Sequence, residues 1–119
     1  MENPKVQDRE SCECTKFILS VQDAIYAVSG KWKLPILVAL TQSSKRFKEI
    51  SGELNGITDR MLSKELKELE QNQLVKRTVH DEFPPRIEYS ITEHGLSLGD
   101  VLAQLKNWGD KHRKKIFEM

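Results

Sequence analysis

Long apolar runs are missing from these 119 residues, cysteines number only two, and the charges nearly cancel. The longest apolar stretch, Leu34 to Leu40, is interrupted by Pro35, and a membrane span needs about 20 apolar residues. A membrane partner is therefore not expected. The opening decapeptide, MENPKVQDRE, lacks the apolar core of a secretory signal, so the expected location is the cytoplasm. Cys12 and Cys14 stand one residue apart and cannot build a disulfide framework; a closed zinc site needs four ligands. His80, His94 and His112 are scattered with no paired spacing, so no metal is expected. There is no Gly-rich phosphate loop and no Ser-His-Asp arrangement with local support. The reading that follows is of a protein that is not an enzyme and carries no cofactor.

A near absence of net charge, +1 from 19 basic and 18 acidic side chains, does not announce a nucleic-acid binder. The distribution says more than the sum. Residues 45 to 48 read KRFK and residues 111 to 115 read KHRKK, while the first 14 residues lean acidic. A neutral total can hide a basic surface. Hydrophobic content of 38% with 31% charged residues describes a folded globular chain of one-domain size.

The apolar residues present are periodic. Ile18, Val21, Ile25 and Val28 keep helical spacing until Gly30, and WKLPILVALT follows with Pro35 in its first turn. Phe47, Ile50 and Leu54 mark a short helix ended by Asn55-Gly56. Thr58 then stands where a hydroxyl can cap the next helix, with Asp59 at its positive end and Leu62, Leu66 and Leu69 as its buried stripe. From Val75 the period drops to two: Val75, Arg77 and Val79 alternate with Lys76, Thr78 and His80, and Ile87, Tyr89 and Ile91 alternate after the DEFPPR loop. A final segment from Glu93 to about Phe117 returns to helical spacing. The predicted order is helix, helix, helix, helix, hairpin, long helix. Two short helices followed by a hairpin describe a winged helix-turn-helix, an α+β fold that is mostly α. The expected organisation is a flexible segment over residues 1–14 and a single winged-helix domain over 15–119, including N- and C-terminal dimerisation helices at about 15–29 and 93–117.

At the level of motifs, "GKWKLPILVAL" (30 to 40), "KRFKEI" (45 to 50), "GITDRMLSKELKELEQNQLVKR" (56 to 77) and "FPPRIEYSITEHGLSL" (83 to 98) occur in order. Together they resemble the HxlR-type transcriptional regulators, small winged-helix proteins related to the MarR group. The resemblance spans about Cys14 to Trp108. It implies a homodimeric, DNA-binding repressor or activator without enzymatic activity, whose first and last helices build the dimer. One departure concerns redox chemistry. Family members that sense oxidants often carry a Cys-Pro pair thirteen residues before the GKW tryptophan, and at that spacing from Trp32 this chain has Leu19 and Ser20.

On a helix opening at Thr58, Arg60, Ser63, Lys64 and Lys67 fall opposite the leucine stripe. Arg60 on the first turn can offer both arms of its guanidinium to a guanine, Ser63 suits a base or a phosphate, and Lys64 and Lys67 suit phosphate. Thr58 itself, Lys45 and Arg46, before the third helix, and His80 and Arg86, on the wing, complete the expected contacts to double-stranded DNA. Val21, Ile25, Leu98, Val101, Leu105 and Trp108 are the expected dimer contacts, because so long an apolar stripe exceeds what one small core can cover. Two alternatives stand beside the regulator of a palindromic operator. One is a winged-helix protein-interaction module, supported by six basic against seven acidic residues between Ile57 and Ser90. The other is a thiol-based redox sensor using Cys12 or Cys14. No small-molecule inducer can be assigned from spacing.

Overall fold

In the computed structural model, which describes the backbone of residues 4–117 and the side chains of 13–117, each periodic segment but the last forms the single element its period predicts. Helix α1 spans Pro4–Val28, α2 Lys33–Gln42, α3 Phe47–Glu53 and α4 Asp59–Gln71; strands β1 (Val75–His80) and β2 (Arg86–Ile91) follow, then α5 (Glu93–Leu96) and α6 (Gly99–Phe117). The helical backbone of α1 begins well before the Thr15 start expected from periodicity, because polar residues continue a helix without adding to an apolar period. At the other end, one long helix was expected and two are found. The break falls at Ser97–Leu98, where the amide of Ser97 donates back to the carbonyl of Glu93 and that of Leu98 to Gly95.

The core forms where α2, α3, α4 and the start of β1 meet. Trp32, Ile36, Leu37 and Leu40 come from the α2 region, Ile50 from α3, Leu62, Leu66 and Leu69 from α4, and Leu74 and Val75 from the strand entry. Each fully buried leucine contributes about 1.5–3 kcal/mol, so the leucine stripe is what holds α4 in place. Thr58 caps α4 by accepting from the Met61 amide at 3.1 Å. Gly56, at φ +91°, makes the turn between α3 and α4 in a region most side chains avoid.

Strands β1 and β2 pair antiparallel, from Val75 opposite Ile91 to His80 opposite Arg86, leaving Asp81–Pro85 as the wing tip. The outer edge of β2 is not bare. Lys45 exchanges two backbone hydrogen bonds with Tyr89, at 2.9 and 2.8 Å, and so ties the α2–α3 link to the wing. Only Val75 is buried in β1; beyond it the hairpin leaves the core and its inside-outside alternation fades.

Helix α5 lies so close to the strand entry that Gly95 has no room for a side chain. A β-carbon there would stand 2.5 Å from the Leu74 carbonyl oxygen and 2.7 Å from Ile91 Cγ1. That carbonyl already accepts from the Thr92 amide and cannot swing aside cheaply. Gly95→Ala is expected to cost about 1–3 kcal/mol, the range for overpacking a closed contact, read as a lower midpoint in urea denaturation. An unchanged midpoint would show that α5 can lift away from the hairpin.

Helices α1 and α6 stand off from this core. Neither contains a fully buried residue among those described. The radius of gyration is 19.0 Å and the longest dimension 64 Å, whereas a compact chain of this length has a radius of about 13–14 Å.

Candidate nucleic-acid interface

Packing α4 by its leucines turns the opposite side outward. Arg60, Ser63, Lys64 and Lys67 are all exposed, and Arg60 and Lys67 make no salt bridge among the described residues. Lys64 makes one loose contact, 3.9 Å from Glu68. Arg60 sits on the first turn of α4, at the end where backbone amides lack partners. Thr58, exposed beside it, spends an oxygen lone pair on the helix cap and keeps its hydroxyl donor.

Two of the four acidic residues of α4 lie on another flank, while Glu70 shares a groove with Ser63 and Lys67. Glu65 and Glu68 turn toward α2, where the ammonium of Lys33 donates to both at 2.7 Å. Lys33 is 6% exposed. Burial pulls its pKa down, but the hydrogen bonds it donates to the two glutamates, with their charges, outweigh that and leave it above the ordinary lysine value. The hydrogen bond from Lys33 holds Glu68 below the ordinary carboxylate range. The contribution of Glu68 to stability is therefore present above the ordinary carboxylate pKa and lost only as pH falls through its lowered value. That of Lys33 is present below the ordinary lysine pKa and lost as pH rises through its raised one. Between those limits the Lys33–Glu68 pair stays charged. Sequence reading missed Lys33, whose two partners lie 32 and 35 residues away.

The other expected contacts divide. Arg46 is exposed at the start of α3, its backbone amide donating to Glu49 Oε1 at 2.7 Å. With Lys48 it lines an open groove of about 630 Å³ between α3 and the wing residues Pro85 and Ile87. Lys45 was expected to meet phosphate, but its ammonium lies 3.2 Å from Glu53 Oε2 and is largely covered. Arg86 and His80 were expected at the wing tip, yet both are held on the hairpin. Arg86 lies 3.1 Å from Glu82 and 3.7 Å from Glu88, and His80 3.0 Å from Glu88. The cause is local: Arg86 and His80 are cross-strand partners, and Glu88 is two residues along β2 from Arg86 on the same face. What projects at the tip instead is Phe83, 98% exposed.

Arg77 was not among the expected contacts, yet it lies beside two of them. It is exposed on β1 and lines one groove with Ser63, Lys67, Glu70 and Tyr89. The signal was present in the alternation: Arg77 shares the face of Val75, which packs beneath α4, so it points along α4 rather than away from it.

Of the expected dimer contacts, Val21, Ile25, Val101, Leu105 and Trp108 are exposed, Trp108 at 64%. Leu98 differs. It is half-buried against its own core, because it lies in the turn between α5 and α6. Cys14 is an exposed free thiol on α1; the side chain of Cys12 lies outside the described residues. Among the described residues no group of His, Cys, Asp or Glu is placed to hold a metal, and no helix is long and apolar enough to cross a membrane.

Comparison with known proteins agrees with the geometry. The HxlR-like helix-turn-helix pattern matches residues 27–117. The HTH-type transcriptional regulator YtcD of Bacillus subtilis (strain 168) is 36% identical over 105 residues, covering 88% of this chain and 83% of YtcD. A crystal structure of a MarR-family transcriptional regulator from Enterococcus faecalis V583 superposes with a TM-score of 0.77 at 39% identity, over 85% of this chain and 92% of that one. The redox regulator HypR in its reduced form gives 0.74 at 35% identity, over 84% and 99%. With one pattern running through all but the first helix, the chain belongs to the HxlR-like helix-turn-helix family of transcriptional regulators.

Proposed function

We propose that the protein binds an inverted repeat in duplex DNA as a homodimer, each α4 lying in a major groove with the wing beside it. The observation that carries this is the outward edge of α4: Arg60, Ser63, Lys64 and Lys67 are exposed while the leucines behind them are buried. Arg60 reads base edges, and Lys64, Lys67, Arg46 and Arg77 meet phosphates, which position a protein without specifying sequence. Arg86 and His80 shape the wing through their bonds to Glu82 and Glu88 instead of entering a groove. The dimer is supported by the apolar residues left bare on two protruding helices: Phe17, Ile18, Leu19, Ile25 and Tyr26 on α1, Val101, Leu105 and Trp108 on α6. So much exposed apolar surface on so small a domain marks an interaction site.

The test is selection of bound duplexes from a random pool by the full chain. The expected product is an inverted repeat with half-sites about one helical turn, ~34 Å, apart. Recovery of an unsymmetrical site would contradict the dimer, and no enrichment at low salt would contradict DNA binding.

A further inference from the structure

Helix α4 is an unpromising partner for a polyanion when taken alone. Between Asp59 and Gln71 it carries four carboxylates against three cations. Two of those carboxylates, Glu65 and Glu68, sit one turn or less from Lys64 and Lys67, close enough for their charge to oppose the approach of phosphate. Lys33 changes that balance from outside the helix. It is the first residue of α2, follows the core residue Trp32, and reaches both carboxylates at 2.7 Å. Glu65 keeps only 15% of its side chain in contact with solvent.

We propose that Lys33 is a positioning residue for DNA binding: by capturing Glu65 and Glu68 on the α2 side of α4, it keeps their charge off the edge that carries Arg60, Lys64 and Lys67. It touches no DNA itself. This rests on the reading that α4 meets the duplex. Without the ammonium, the two carboxylates lie beside each other with no shared cation, and the cheapest relief is to turn outward into water. There they repel phosphates and compete for Lys64, which already stands 3.9 Å from Glu68. Within the chain, Lys33 also links the end of α1 to the middle of α4, since Gly30, at φ +104°, turns the backbone from one helix into the next.

The experiment measures affinity of the full chain for a short fluorescent duplex of mixed sequence across a salt series. Lys33→Met is expected to weaken binding on the order of tenfold at low salt, with the deficit shrinking as salt screens the freed charges. Adding Glu65→Gln and Glu68→Gln to Lys33→Met should restore affinity to within about threefold of the wild type, because the repelling charges are gone. Equal binding by Lys33→Met and wild type overturns the proposal. So does a triple variant as weak as Lys33→Met, which would mean that Lys33 matters for packing alone. If Lys33→Met fails to fold, Glu68→Gln decides: with Lys33 already drawing that carboxylate aside, duplex affinity should stay within about threefold of the wild type, and a gain of about tenfold or more overturns the proposal, since the captured charge would still oppose DNA. Absence of binding by the wild-type chain at low salt overturns the DNA reading and this inference together, whereas the other failures leave that reading intact.

Discussion

Replacing Leu105 and Trp108 together by glutamate is expected to give a monomer in sedimentation equilibrium and to lower duplex affinity by a hundredfold or more. Both side chains are more than half exposed on α6, a helix with no buried residue, so the domain core loses nothing. At a two-fold interface each substitution acts twice. Burying a leucine or an aromatic contributes about 1.5–3 kcal/mol per side chain, and four carboxylates brought together would repel as well. Loss of the dimer removes the second half-site from reach, and with it an effective concentration of millimolar order, worth on the order of 10²–10⁴ in affinity. Circular dichroism and the urea midpoint should stay near those of the wild type, which separates dissociation from unfolding. A variant that remains dimeric would move the interface elsewhere, and one that is monomeric yet binds operator undiminished would remove the need for two subunits.

Arg60→Ala is expected to act on discrimination. A bidentate arginine–guanine contact is worth about 1–3 kcal/mol against the wrong base. Preference for the selected site over one altered at that base should therefore fall by roughly 5- to 150-fold. Binding to mixed-sequence DNA should fall much less. Arg60 is exposed and makes no salt bridge among the described residues, so stability should hold. Lys67→Ala is the contrast: it should weaken binding evenly across sequences and reduce the salt slope by about one ion. If Arg60→Ala keeps its full preference, the base-reading role passes to Ser63 or to another side chain of α4.

Legibility in the sequence followed the range of the interaction concerned. Leu62, Leu66 and Leu69 could be recognised as a buried stripe because three turns of one helix set their common direction. Thr58 could be recognised as a cap because its partner is the amide of Met61, three residues on. The strand pair was legible for the same reason: alternation and two prolines bound it within 17 residues, Val75 to Ile91. The break at Ser97–Leu98 was not, since apolar spacing continues through it while the contact that needs Gly95 comes from Leu74 and Ile91. Nor was the early start of α1, where Val6 stands too far from Ile18 to extend its apolar period.

The candidate site divides along the same line. That Arg60, Ser63, Lys64 and Lys67 share an edge is a property of helical geometry, written within one stretch of chain. Whether a particular cation is free to meet phosphate is not local, because it depends on which carboxylate the fold brings near. Arg86 pairs with near neighbours, Glu82 and Glu88, but it is the hairpin register that brings Glu88 to His80, the fold of α3 that brings Glu53 to Lys45, and helix packing that brings Lys33 to two glutamates more than 30 residues away. Periodicity and capping act over a few residues and survive in a string of letters. Charge pairing falls off within several ångströms and is indifferent to separation along the chain, so for cations such as Lys33 only packing assigns the partner.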